Sequence, residues 1–478
     1  MKRIILWCAC LILVCLPHPS RAVVEHDTMF VQYAGKDYVA PIPKAYTLKT
    51  VISIFGPDSD MFKEPMDVCV ASNGHVYVAD TGNNRIVEFD GQYRFAAVYD
   101  NRAEQGFAGP QGVFVDAAGS IYAADTGHER IVKLSKAGRF VEAFRKPESA
   151  LLTDSFTFNP RKIAISDVGY LYAIKYQNLM QIDAFGRFRG FIGTNMVAYD
   201  FWRQVRLLFS NTEQRKSFQR QQPYSVYSFA LSPDGSMYIT TPDPEGQLKK
   251  INTVGKNIYP KKSFFGQMVA TGTGERKIYA NPQYIDVAVD ASETAILLEG
   301  LSGQISVYDS FGDNLACFGG RFEGEAGFIL PVALDVTADG EIIVVDQGAS
   351  CVKVFEPTRF MRTVLQAVSL FSKGRYDEAE NSWQAILKSH ESYTLANMGM
   401  AKAKYKQGDY AAAMAYYQLC DDADGYSQAF TKYRHQVFRE HFAPTLALGT
   451  GAIALTAVLV WLMLAFIRRH MHRYGHLI

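Results

Sequence analysis

A repeat of 45 residues limits what this chain can fold into more than any other feature. Pro65-Met66-Asp67-Val68, followed by Val76-Tyr77-Val78-Ala79-Asp80-Thr81-Gly82-Asn83-Asn84-Arg85-Ile86, recurs as Pro110-Gln111-Gly112-Val113, followed by Ile121-Tyr122-Ala123-Ala124-Asp125-Thr126-Gly127-His128-Glu129-Arg130-Ile131. Asp80 to Asp125 and Arg85 to Arg130 both span 45 positions. Weaker copies begin near Pro160, Val226, Tyr284 and Pro331, with central strands predicted around Tyr172, Tyr238, Ile296 and Ile342. A unit this small cannot bury its own apolar face and has to stack on neighbours. Each copy alternates short apolar runs with Gly, Asp and Asn turns, the pattern of four short antiparallel strands. Six such copies predict a mainly β fold, a six-bladed β-propeller over residues 46–357. After Val352-Lys353-Val354-Phe355 the chain runs straight to Pro357, so the last blade lacks an outer strand. The run Val51-Ile52-Ser53-Ile54-Phe55-Gly56 is predicted to supply it and close the ring.

The two clearest copies resemble the NHL repeat family, whose members carry a Pro-x-Gly-Val start and a Tyr-Val-Ala-Asp-Thr-Gly-Asn-Asn-Arg-Ile core. That resemblance implies the propeller fold. It does not imply a single activity, because such propellers host both binding surfaces and enzymes.

Beyond the propeller the period changes. Gly374-Arg375-Tyr376-Asp377-Glu378-Ala379 recurs as Gly408-Asp409-Tyr410-Ala411-Ala412-Ala413, an offset of 34 that also keeps Ala367 with Ala401, Phe371 with Tyr405 and Trp383 with Tyr417. Residues 358–441 therefore resemble about two TPR units, with a helix near Gly425 to His441 predicted to cap them. They read as a stalk or as a short peptide-binding groove.

The two ends point to export and a membrane. Lys2-Arg3, the apolar run Ile4 to Leu16 and Ser20-Arg21-Ala22 have the pattern of a signal peptide over residues 1–22. Residues 443–467 hold no charge and are long enough, at about 1.5 Å per residue, to cross a bilayer as a transmembrane helix. Arg468, Arg469 and Arg473 follow, so the tail 468–478 is expected in the cytoplasm and the N-terminal domains outside it. Lys plus Arg number 49 against 48 Asp plus Glu, and this balance speaks against a nucleic-acid partner. Cys69, Cys317, Cys351 and Cys420 have no CxxC spacing and read as buried core residues, with a Cys317–Cys351 disulfide left open.

Candidate functional residues fall in two places. The mouth of the central channel is expected to be lined by Asp67, Gln111, Arg161, Tyr227 and Asp286, a polar set suited to a small ligand. Between the third and fourth blades, residues 198–222 form an amphipathic, basic insertion in which Phe201, Trp202, Arg203, Val205, Arg206 and Phe209 take helical spacing. That segment reads either as a decoration on the propeller or as a docking element for a membrane or partner. Asp80, Asp125, Glu299 and Asp346 end the second strand of their blades, where Lys175 and Thr241 stand in the other two, and the carboxylates are expected to bond turn N–H groups. No nucleophile elbow, metal-ligating His cluster or phosphate loop is present, so no catalytic residue, metal or cofactor is assigned.

The whole arrangement resembles a group of bacterial surface proteins that accompany carbohydrate ABC-transporter components. That resemblance implies a membrane-tethered interaction scaffold, with a membrane protein or transporter component as partner. A carbohydrate or other small ligand held by the propeller is the alternative, and metal-dependent lactonase or lyase chemistry the third reading.

Overall fold

The computed structural model describes residues 29–32, 39–149, 152, 156–192, 225–243, 246–253, 255–260, 269–271, 278–391 and 393–474. The signal segment 1–22, the insertion 198–222 with all six of its proposed docking residues, and the last four residues of the tail lie outside the described residues. The chain divides into two compact units, Met1–Arg362 and Thr363–Ile478.

The first unit is a six-bladed β-propeller, and each predicted central strand is present. Blades 1, 2 and 3 are four-stranded meanders that start with inner strands Asp67–Val70, Pro110–Val115 and Lys162–Ile165. Blade 4 shows three strands among the described residues, beginning at Ser228–Leu231. Blade 5, from Tyr284–Val289 to Asn314–Gly319, is extended by two short strands, Phe30–Gln32 and Val39–Pro41, that precede the expected start of the propeller. Blade 6 takes three strands from Pro331 to Pro357 and its fourth, Tyr46–Ile52, from the N-terminal side.

Ring closure by an early strand is thus present, but shifted. Ile52 pairs with Val352 and Val51 with Lys353, and the ladder continues back to Tyr46 against Pro357. Ile54 and Phe55 leave the ladder to pair with Met61 and Asp60. The reason is apolar: the Phe55 ring is buried against Phe62 at 4.6 Å and Phe89 at 5.4 Å, inside the seam between blades 6 and 1.

Apolar layers form where neighbouring blades face each other. Val68, Val78 and Val87 of blade 1 pack with Ile343, Val345 and Val354 of blade 6, and Tyr77 and Ile86 pack with Val113 and Val132 of blade 2. Alternation along every strand sends one set of side chains to each neighbour, so each blade is buried on both faces. Gly74 and Gly119 stand at φ +83° and +84° in the turns joining first and second strands, a region that costs glycine nothing. Cys69, Cys317, Cys351 and Cys420 are buried and free; Cys317 lies 3.3 Å from Asn314 Oδ1, so the disulfide left open by the sequence is not formed.

The second unit is helical. Tyr376–Ser389, Thr394–Gln407, Tyr410–Leu419 and Ala423–Val437 pack each against the next. The 34-residue offset has a structural counterpart: Phe371 meets Tyr376 at 5.2 Å, Tyr405 meets Tyr410 at 5.5 Å, and the glycines between them, Gly374 and Gly408, both have positive φ. Gly408 closes its helix by donating its N–H to Tyr405 and Lys404 carbonyls, and Asp409 caps the next helix by accepting from Ala412 N–H. A final helix, Ala443–Tyr474, carries an exposed apolar surface on all sides and is long and apolar enough to cross a membrane.

Candidate functional site in the propeller channel

Inner strands splay apart around a propeller axis, so their outward N–H groups have no ladder partner on the neighbouring blade. Buried N–H groups need acceptors, and three aspartates supply them. Asp67 of blade 1 accepts from Val113 N–H of blade 2 at 3.0 Å, Asp286 of blade 5 from Leu334 N–H of blade 6 at 2.8 Å, and Asp335 of blade 6 from Val70 N–H of blade 1 at 2.7 Å. Three seams are stitched in this way. The seam between blades 2 and 3 is closed by contact instead: a Cβ on Gly112 would lie 2.2 Å from the Arg161 carbonyl oxygen, so only glycine lets these strands meet.

Asp67 and Asp286 share one cation. Lys162 of blade 3 reaches across the channel and donates to Asp67 at 3.0 Å and to Asp286 at 2.9 and 3.1 Å, while Ser228 of blade 4 donates to Asp286 at 2.5 Å. Ladder register places Asp67, Gly112, Lys162, Ser228, Asp286 and Ala333 at one equivalent position in the six blades. Burial pushes the Asp67 carboxyl up to about 6, with Lys162 pulling it down and Asp286 pushing it up. Burial likewise lifts Asp335 to about 6, against the N–H groups of Val70 and Val336 that favour its charge. Burial alone would depress Lys162, yet Asp286 and Asp67 carry it well above the ordinary lysine value.

The expected channel set therefore separates into two levels. Asp67 and Asp286 are buried in the ion cluster with Lys162, Ser228 and Asp335, residues that the sequence reading does not single out. Gln111, Arg161 and Tyr227 each come one residue before the equivalent position of their blades, where Arg161 is exposed and Gln111 and Tyr227 are half-buried. The signal for Lys162 was a charged residue heading the short apolar strand Lys162–Ile165, in register with the aspartates of two other blades.

Turn carboxylates at the ends of the second strands bond loop N–H groups as their position suggests. Asp80 accepts from Lys63 N–H at 2.8 Å and Arg85 Nε at 2.7 Å, and Asp125 from Ala108 N–H and Arg130 Nε, both at 2.7 Å. The following threonines join blades, since Thr81 and Thr126 each donate to the carbonyl of the next blade's leading proline, Pro110 and Pro160, at 2.6 Å. Asp-Thr-Gly is thus an interblade clamp. His75 pairs with Glu88 at 2.6 Å and His128 with Asp125 at 3.0 Å, in separate blades. Among the described residues, no three His, Cys, Asp or Glu side chains gather where they could hold a metal ion.

Fold and channel together define a six-bladed β-propeller closed by its N-terminal strand and ion-paired across its axis. Residues 62–89, from Phe62 through the third strand of blade 1, match the NHL repeat family. No curated protein matches the chain. Solved structures similar to it include virginiamycin B lyase from Staphylococcus aureus, at 11% identity and TM-score 0.39, covering 70% of this chain and 96% of that one. A gluconolactonase from Xanthomonas campestris matches at 9% identity and TM-score 0.40, covering 69% and 100%. A protein of unknown function from Bacteroides thetaiotaomicron matches at 13% identity and TM-score 0.41, covering 67% and 79%. The likeness is one of fold alone.

Proposed function

We propose that this protein is a membrane-tethered interaction scaffold, held outside the cytoplasm and docked on a membrane transport complex. The observation that carries the reading is the helix Ala443–Tyr474, whose charge-free run 443–467 is exposed on every side and attached to two modules built from repeats. Such a surface is stable in hydrocarbon and not in water. The signal pattern at 1–22 and the arginines at 468, 469 and 473 support export of the propeller with the tail left inside. TPR-like character of the helical repeats, read from the 34-residue offset, adds a second module of the kind that binds proteins. In-cell photo-crosslinking from Trp202 and from Arg161, followed by mass spectrometry, tests the reading. Transporter subunits captured at Trp202 support it, and capture of lipid alone overturns it.

A second reading, a propeller that binds a glycan or other small ligand, is favoured by Gln111, Arg161 and Tyr227 standing at equivalent positions of consecutive blades around the mouth. Retention of a sugar by the Arg161 probe, without a protein partner, selects it over the scaffold.

A further inference from the structure

Blade 3 breaks the charge pattern of the ring. Four blades end their second strand with a carboxylate that is buried and bonded to loop N–H groups, but blade 3 has Lys175 there. Lys175 is 8% exposed, and its ammonium lies 3.6 Å from the Phe156 ring centre and 5.4 Å from that of Tyr176. It makes no hydrogen bond or ion pair among the described residues, and burial holds it below the ordinary lysine value. Arg161 stands beside it at the same end of the blade, because Lys162 pairs with Ile174 and Arg161 N–H bonds the Ile174 carbonyl at 2.9 Å. One Arg161 nitrogen donates to the Tyr176 carbonyl at 2.8 Å, and among the described residues no carboxylate pairs with the guanidinium. Two cations that form no ion pair among the described residues thus meet around Tyr176, which is 65% exposed, and Glu129 is near enough to Lys175 to raise it partly against burial.

The same face changes character across the mouth. In a ring of six, blade 6 stands opposite blade 3, and its loop before the inner strand exposes Ile329 (63%) and Leu330 (40%). Leu301 of blade 5 and Met61 ahead of blade 1 are exposed as well. Gln347 ties the loop to the mouth, donating its backbone N–H towards Leu330 and its side chain towards Met66. A buried cation gains by meeting a carboxylate, and the planar guanidinium suits a two-point grip on one. Clustered exposed apolar side chains mark a surface that another chain covers.

We propose that Arg161 and Lys175 form a carboxylate-binding site at the mouth, and that its occupant is an extended acidic and apolar segment of a partner protein. The acidic residues of that segment sit on blade 3 while its apolar residues cross the mouth to Ile329 and Leu330. This deepens the scaffold reading and rests on it. The test uses full-length protein in nanodiscs with three labelled probes: a peptide of Asp, Glu and Leu, its Asn, Gln and Leu counterpart, and an oligouronate. The acidic peptide is expected to bind at least tenfold more tightly than the amide peptide, and Arg161→Gln, at an exposed position, to remove that preference. Lys175→Met should do the same with unchanged hydrogen exchange in the blade 3 strands. Equal binding of the two peptides, binding of neither, preference for the oligouronate, or a preference that survives Arg161→Gln overturns the proposal. A transporter subunit crosslinked at Trp202 alongside any of those results overturns this site and leaves the scaffold reading standing.

Discussion

Lys162 is the residue on which the channel depends. It supplies the single ammonium for Asp67 and Asp286, both nearly inaccessible to water. Removing one partner of a buried pair leaves the other charged and unsolvated, at a cost of about 3 to 5 kcal/mol. Lys162→Met should therefore lower the melting temperature of the propeller sharply at pH 7.5, and the deficit should shrink towards pH 5 as Asp67, already raised to about 6 by burial, takes up a proton. Asp335 makes the opposite point. Its carboxyl is raised to about 6 by burial, so the folded state binds a proton that the unfolded state has released between about pH 4 and 6. The unfolded state then binds fewer protons, and stability contributed by this group falls as pH rises through that window. Asp335→Asn has no proton to lose. The stability of the natural protein relative to the variant should fall by about 3 kcal/mol between pH 3.5 and 7.5, two units at roughly 1.4 kcal/mol each, measured by denaturant unfolding. A pH-independent difference would contradict it. Aligned repeats brought Asp67 and Asp286 to the channel but not Lys162, and mixed mouth residues with buried ones. Two residues on from the repeat starts Pro65, Pro110, Pro160, Val226, Tyr284 and Pro331 stand Asp67, Gly112, Lys162, Ser228, Asp286 and Ala333, so the equivalent set is present in the sequence, and Gln111, Arg161 and Tyr227 lie one residue too early. Which of two adjacent residues turns inward at the start of a strand is set by the ladder, where a shift of one position exchanges the faces.

Strands and turns were far more legible, because their causes are local. Turn glycines, the Asp-Thr-Gly clamp and alternating apolar residues act within a few positions, so central strands at Tyr172, Tyr238, Ile296 and Ile342 fall inside the ladders that contain them. The closing strand was legible only in part. Val51 and Ile52 look no different from Ile54 and Phe55 in sequence, and what separates them is a distant aromatic cluster that draws Phe55 into the seam. Gly112 is the clearest test at this scale. Its missing Cβ admits the Arg161 carbonyl, so Gly112→Ala must push blades 2 and 3 apart at the channel. Overpacking of this kind costs about 1 to 3 kcal/mol. Gly91→Ala, where the nearest atom to an added Cβ is 3.6 Å away, should stay within about 0.5 kcal/mol of the natural protein. Hydrogen exchange should show the Gly112→Ala loss concentrated in Pro110–Val115 and Lys162–Ile165, and an even loss over all six blades would refute the contact argument.

For the molecule as a whole, the choice between a tethered and a free protein rests on one helix. Residues 443–467 hold no charged side chain, and exposed Leu455, Val458, Leu462 and Phe466 stand three or four apart, one turn above another. In water that surface would draw copies of the chain together; in a bilayer it is already solvated by hydrocarbon. The two cases respond differently to charge. Arginine near the centre of a spanning helix costs about 2.5 to 3.5 kcal/mol on insertion scales, so Val458→Arg with Leu462→Arg together oppose insertion by roughly 5 to 7 kcal/mol. If the helix spans the membrane, the double variant should shift from the carbonate-resistant membrane fraction to the extractable fraction. The blades, whose cores lie between neighbouring sheets in a separate unit, should keep their protease resistance. If the helix instead packs against protein, the same arginines would leave the fractionation unchanged and lower the melting temperature, because the loss would then fall on a folded contact and not on transfer into lipid.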